Sequence, residues 1–302
     1  MQRVLSDFGA DHAFAQAAQK VQEHYGVSVP VNRTRGVCLH HAEVLAQRLP
    51  EPVRTLGAGG PDHIVAEADG TMVPVVETTQ APAGADRRKH RQVRWQEARL
   101  VAARALGKAT TYYGATLGEV TETGVRWSQT VGKAGWGTHS RIHGVGDGAT
   151  WIAQQCNIQF GERGSYLLDL FHVCEYLAAA APQPSQSKAW VHTQKQALVE
   201  NRSSEVLAEL KQRLEPVACP EENAPVRKAF RYLENRSHQL DYAGAKAHHL
   251  PVGSGLIESG HRHVIQARLK KAGAWWNPTN AHAMLQLRTC RANGDWDRYW
   301  NN

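Results

Sequence analysis

The chain has 302 residues, 42% of them apolar, enough for a sizeable core in two domains or in one large domain with an insertion. Lys plus Arg exceed Asp plus Glu by 35 − 28 = 7, which points to a polyanionic partner, nucleic acid first. Five scattered cysteines with no C-x-x-C exclude a disulfide framework and a zinc ribbon, and neither a membrane span nor a signal peptide is encoded, so a reducing cytoplasm is expected.

Residues 10 to about 48 read as two helices, "ADHAFAQAAQKVQEHY" and "NRTRGVCLHHAEVLAQRL", joined by "GVSVPV". The Gly26 stop and the polar start of the second helix suit a helix-turn-helix, with Arg33 and Arg35 where a recognition helix meets DNA. An ordinary helical hairpin fits the same residues. Residues 62–78 alternate as a strand, with Val65, Glu67 and Asp69 on one face and Ile64, Ala66 and Ala68 on the other. A charged loop, "QAPAGADRRKHRQ", comes next. "VRWQEARLVAARAL" suits a strand or a helix, "ATTYYGATLG" a strand, and residues 119–134 a helix. "RIHGVGDGATWIAQQC" reads as a strand ending at Asp147, a Gly-flanked turn and a helix start. "YLLDLFH" (166–172) is a strand running into the helix "VCEYLAAAA". After "PQPSQS" the text from Lys188 to about Arg236 is helical and polar, which marks an insertion.

Three carboxylates stand at pointed places: Asp69 in a strand, Asp147 at a strand end and Glu258 on a late helix. Hard divalent cations take oxygen ligands, and two-metal phosphoryl transfer needs carboxylates converging from separate elements. Each has a plainer reading: Asp69-Gly70 as a hairpin turn, Asp147 in a flexible "GVGDGA" loop, and Glu258 paired with Arg262 one turn on. Ile265 and Leu269 lie at i+7 and i+11 from Glu258, which predicts that its face is covered. Asp169 and His172 form Asp-x-x-His in an apolar run, either as functional groups or as a helix cap beside a core histidine. Cys38, His40 and His41 lack a second ligand pair for a metal.

The stretch 250–276, "LPVGSGLIESGHRHVIQARLKKAGAWW", combines Glu258 with Arg262, Arg268, Lys270 and Lys271 and ends in Trp275 and Trp276. Cations beside aromatic rings are how single-stranded or distorted nucleic acid is held, although adjacent tryptophans also suit a core.

Taken together, "DGTMVP", "GDGATWI", "LLDLFHVCEYL" and "GSGLIESGHRHVIQARLKKAGAWW" resemble the DDE transposases of bacterial insertion sequences, most closely the ISKra-type family related to the Mutator-like group. The resemblance spans roughly residues 20 to 300. It implies an α/β, RNase H-like mixed sheet with an all-α insertion, preceded by a short helical, helix-turn-helix-like segment. The implied divisions are a DNA-binding segment (1–55), a first part of the catalytic core (56–173), the insertion (174–245), and the Glu-bearing helix with a C-terminal helix (246–302). Asp69, Asp147 and Glu258 match the family's triad for Mg²⁺ or Mn²⁺, and Asp169 and His172 its accessory Asp/Cys-x-x-His. The implied partners are transposon ends and target DNA, with a homo-oligomer forming on DNA, no membrane, and a nucleoid-associated cytoplasmic location. Cutting the element's ends and joining the 3′-OH ends to target DNA is the implied reaction. Because the N-terminal region is shorter than the family's, a catalytically silent remnant that only binds DNA is the alternative. A non-transposing nuclease of the same fold is a third reading.

Overall fold

The computed structural model describes residues 1–48, 50–78, 86, 90–183, 185 and 187–301. Its centre is a five-stranded mixed sheet of β1 (His63–Thr78), β2 (Arg91–Ala105), β3 (Tyr112–Thr116), β4 (Arg141–Gly146) and β5 (Gly164–Leu168), in the order β3-β2-β1-β4-β5. β1, β2 and β3 form an antiparallel meander, while β4 and β5 run parallel to β1. This is the α/β class with a mixed sheet that the resemblance implies.

The helices are α1 (Gln2–Asp11), α2 (Phe14–Tyr25), α3 (Val31–Ala46), α4 (Val120–Lys133), α5 (Thr150–Phe160), α6 (Leu170–Ala179), α7 (Ser187–Val199), α8 (Ser203–Gln212), α9 (Pro225–Glu234), α10 (Tyr242–Ala247), α11 (Gly255–Gly260), α12 (Ala267–Leu269), α13 (Pro278–Ala292) and α14 (Trp296–Asn301). A π-helical segment, His261–Gln266, joins α11 to α12.

Burial explains the layering. On one sheet face Ile64, Ala66 and Ala68 of β1 share a core with Trp127 of α4 and with Ile152 and Phe160 of α5. On the other, Val73, Val75 and Leu100 pack under α11 to α13, with α1 and α3 beyond. A third core lies within α6 to α10. The even and odd positions of β1 therefore serve different layers, as strand alternation requires. Gly260 lets α11 approach the sheet closely: a Cβ there would stand 2.7 Å from the Leu100 and Tyr113 side chains.

Several sequence expectations need correction. The N-terminal region holds three helices, because α1 begins at Gln2 and its Leu5 and Ala10 are buried. The Ala- and Arg-rich segment of β2 is the strand expected, not its helical alternative: Ala98, Ala102 and Ala103 are buried between the layers, and burial overrides their helical preference. β5 ends at Leu168, so Asp169 caps α6 rather than lying inside the strand. The loop expected over 80–92 lies largely outside the described residues. No helix among the described residues is long and apolar enough to cross a membrane.

Candidate functional site

The registers of the parallel strands place three aspartates in one row. His63 lies opposite Arg141, an offset of 141 − 63 = 78, and Asp69 and Asp147 differ by 147 − 69 = 78. Ile142 lies opposite Gly164, an offset of 164 − 142 = 22, and Asp147 and Asp169 differ by 169 − 147 = 22. Continuing each register past its last pair aligns Asp69, Asp147 and Asp169 across three neighbouring strand lines. Such lines are about 4.8 Å apart.

The three carboxylates have different commitments. Asp169 is 4% exposed. Its Oδ1 accepts from the N–H groups of Phe171 (2.7 Å) and His172 (3.2 Å), and its Oδ2 from the Ser254 N–H (2.9 Å) and hydroxyl. Both oxygens serve the start of α6 and the approach to α11. Asp69 is half-buried; its Oδ1 accepts from the Gly70 N–H at 2.7 Å, and His261 Nε2 lies 3.1 Å from its Oδ2. Asp147 Oδ1 accepts from the Ala149 N–H at 2.8 Å, and Oδ2 has no partner among the described residues. The backbone around Asp147 is braced by the helical insertion: the Tyr232 hydroxyl donates to the Asp147 carbonyl at 2.6 Å and Arg236 Nε to the Gly148 carbonyl at 2.9 Å.

Glu258 lies on α11, and α11 is tied to the sheet by carboxylates. Asp169 holds Ser254, Glu67 Oε2 accepts from the Ile257 N–H at 2.8 Å, and Asp69 meets His261. The tether points 254, 257 and 261 have helical spacing and so share one face. Glu258 is exposed, and its side chain has no hydrogen bond or ion pair among the described residues, including none to Arg262. The expected cover from Ile265 and Leu269 fails for a physical reason. A π turn inserts the equivalent of one extra residue, rotating the later part of the helix by about 100°. Ile265 and Leu269 are buried, but on a face Glu258 no longer shares. Arg288 supports this irregular turn, its Nε donating to the Val264 carbonyl at 2.6 Å and its Nη2 to that of His263.

Sequence reasoning left Glu67 out of the site. It is 1% exposed, and burial pushes its carboxyl up to about 8, with the Ile257 and Leu256 N–H bonds acting against that rise. The signal was present, since Glu67 shares the strand face of Asp69. Ser254, Tyr232 and Arg236 had no comparable signal, because their roles depend on tertiary contact.

The cations divide into two groups. Arg33, Arg35, Arg262 and Lys270 are exposed, and Lys271 is partly so. Lys270 Nζ donates to Thr71 Oγ1 at 2.7 Å, two residues along β1 from Asp69. Arg268, in contrast, is 2% exposed. Its Nε donates to the Gly9 carbonyl at 2.9 Å, and its guanidinium lies over Phe14 and Trp276 at 4.8 and 4.6 Å. Burial pushes its pKa down to about 10. It is a buried cation packed on aromatic rings, not one of the exposed cations. His261 is likewise buried against Asp69 and is not a phosphate-facing group. Trp276 is core, its carbonyl accepting from the Val76 N–H at 2.7 Å, whereas Trp275 is 61% exposed. The His172 side chain faces Glu175 at 3.1 Å and the rings of Tyr176 and Tyr232, and its hydrogen bond to Asp169 is through the backbone.

Among the described residues no three His, Cys, Asp or Glu side chains converge closely enough to hold a metal ion. Residues 138–300 match the model of an uncharacterised protein family, UPF0236. No curated protein matches. A crystal structure of NurA with manganese aligns over 90% of this chain and 63% of its own length, at 10% identity and a TM-score of 0.12, a likeness too low to carry an argument.

Proposed function

The chain belongs to the uncharacterised protein family UPF0236, and we propose that it is a DNA transposase of an insertion sequence, cleaving element ends and joining the 3′-OH ends to target DNA. The observation that carries the reading is the common register of Asp69, inside β1, and Asp147, just past the end of the neighbouring β4, with the Glu258 helix tied to β1. A net charge of +7 and the exposed cations on the segment after Glu258 suit a DNA substrate.

The donor set fits Mg²⁺ or Mn²⁺ in kind. Asp69, Asp147 and Glu258 offer hard carboxylate oxygens, and Asp147 Oδ2 and the whole Glu258 carboxylate are uncommitted among the described residues. When bound, such ions supply Lewis acidity and a nucleophilic oxygen at neutral pH. The protein's own contributions are positional. Asp69 and Asp147 present ligands from adjacent strands, His261 orients Asp69, and Glu258 approaches from the helix. Arg262 and Lys270 neutralise the phosphates of the bound strand.

A second reading has its own observation. His261 occupies Asp69 Oδ2 and the triad does not close around a cation position, which suits a remnant that binds DNA without cutting it. The deciding experiment incubates the purified protein with labelled DNA bearing the element's end, with Mg²⁺, with Mn²⁺ and with EDTA. Metal-dependent cutting and 3′-end joining, lost in D69N, D147N and E258Q while binding persists, is the expected result. Binding without cutting under every metal condition would favour the remnant.

A further inference from the structure

A cavity of about 400 Å³ lies at the far end of β1, around Val76, between the start of α2, the first turns of α3 and the turn entering α13. Its lining includes Arg35, Arg91, Arg268, Trp275, Trp276 and Asn277, and none of the described lining residues is acidic. Two of these side chains each carry a buried donor nitrogen without a partner. Arg268 Nη2 and Trp276 Nε1 have no hydrogen-bond partner among the described residues, although both residues are at least nine-tenths buried. Neither a guanidinium nor an indole N–H can accept, so both call for an acceptor on the occupant. At the mouth, the exposed Arg35 and Arg91 supply positive charge and Trp275 an open aromatic face.

We propose that this cavity holds one unpaired nucleotide of the bound DNA, its base stacked on Trp275, its ring and carbonyl acceptors met by Arg268 and Trp276, and its phosphates held by Arg35 and Arg91. The volume is that of a ligand pocket, too large for a free phosphate ion. The position fits as well. Val76 is seven residues along β1 from Asp69, roughly 20 Å at the rise of a strand, with the Lys270–Thr71 contact between them. A strand leaving the carboxylate row can track these cations to the cavity. The proposal rests on the DNA-processing reading above.

The test uses the full-length protein and two duplexes of the same sequence, one with a single bulged 2-aminopurine and one with that base paired. The bulged duplex should bind about tenfold more tightly, with its fluorescence quenched by stacking. Trp275→Ala and Arg91→Ala should each remove most of that preference. Both side chains are exposed, and a thermal melt checks that each variant is folded. Equal affinity for the two duplexes overturns the proposal, as does a preference that survives both substitutions. Metal-dependent cutting is measured in parallel. Bulge preference without cutting upholds the cavity and sinks the transposase reading, cutting without bulge preference does the reverse, and no DNA binding at all overturns both.

Discussion

The backbone N–H of Ile257 donates to Glu67 Oε2 at 2.8 Å, joining positions 190 residues apart and fixing the helix that carries Glu258 to the central strand. Burial raises the Glu67 carboxyl from 4.5 to about 8. Between those values the folded state binds a proton that the unfolded state has lost. The associated stability is therefore full below about pH 4.5 and is lost as pH rises through about 8. Glu67→Gln, which mimics the protonated acid, should remove this slope. Melting curves of both proteins in EDTA from pH 5 to 8.5 should converge at the acid end and separate at the alkaline end, by several degrees. Parallel curves would show that Glu67 is ionised throughout.

Asp169 acts as a cap and a tether, not as a group that touches substrate. Asp169→Ala removes the cap of α6 and strands the Ser254 N–H, at a cost of about 3 kcal/mol by mutational precedent for caps and buried unpaired donors. Asn keeps one acceptor oxygen, so Asp169→Asn should restore the α6 cap but leave the Ser254 N–H facing an amide N–H, recovering only the capping part of the loss. Calorimetry or urea unfolding measures both. Loss of cleavage in a D169A protein of unchanged stability would instead give Asp169 a part in the chemistry.

The two groups of cations should separate cleanly in experiments. Removing Arg262 or Lys270 should weaken binding to any DNA sequence and lower the slope of log affinity against log salt by about 1 each. Arg268→Met should leave that slope in place and lower the melting temperature, because Arg268 holds Gly9, Phe14 and Trp276 together. A salt slope reduced in R268M would show that Arg268 neutralises a phosphate, as the exposed cations do.

Acid should loosen the attachment of α1. Burial raises the Asp11 carboxyl, but the guanidinium groups of Arg291 and Arg288 outweigh it and hold the pKa below 3.8. The contribution of these pairs is present above about pH 3.8 and fades as pH falls through the lower folded value. Asp11→Asn should therefore be less stable than the parent protein at pH 7, with the gap closing in acid. A gap that stays constant down to pH 3 would contradict the assignment.

What the sequence made legible was whatever depends on local pattern. The alternation of β1, the strand-turn-helix around Asp147 and the polar helical block could be read directly, and the differences of 78 and 22 between the aspartates already contained the register. Two kinds of error came from assuming regularity. A uniform helical period from Glu258 to Leu269 hid the π turn, and so covered an exposed carboxylate. A run of cations was read as one surface, although Arg268 turns inward to rings supplied by α2 and by Trp276. Glu67 escaped notice because a charged residue in a strand shows its burial only when the covering helix is known.

The Leu170 N–H donates to the Val252 carbonyl at 2.9 Å, and Asp169 bonds to Ser254 although 85 positions separate them. The α6–α10 excursion thus leaves the sheet and returns to it through a single narrow neck. Its length is consequently decoupled from where Glu258 stands: residues could be added to or trimmed from its outer helices and the neck would still deliver α11 to the same place. Its mechanical influence goes to Asp147 alone of the proposed triad, through Tyr232 and Arg236. Shortening the excursion so as to remove α9 would leave the Glu258 helix seated and free the loop that carries Asp147.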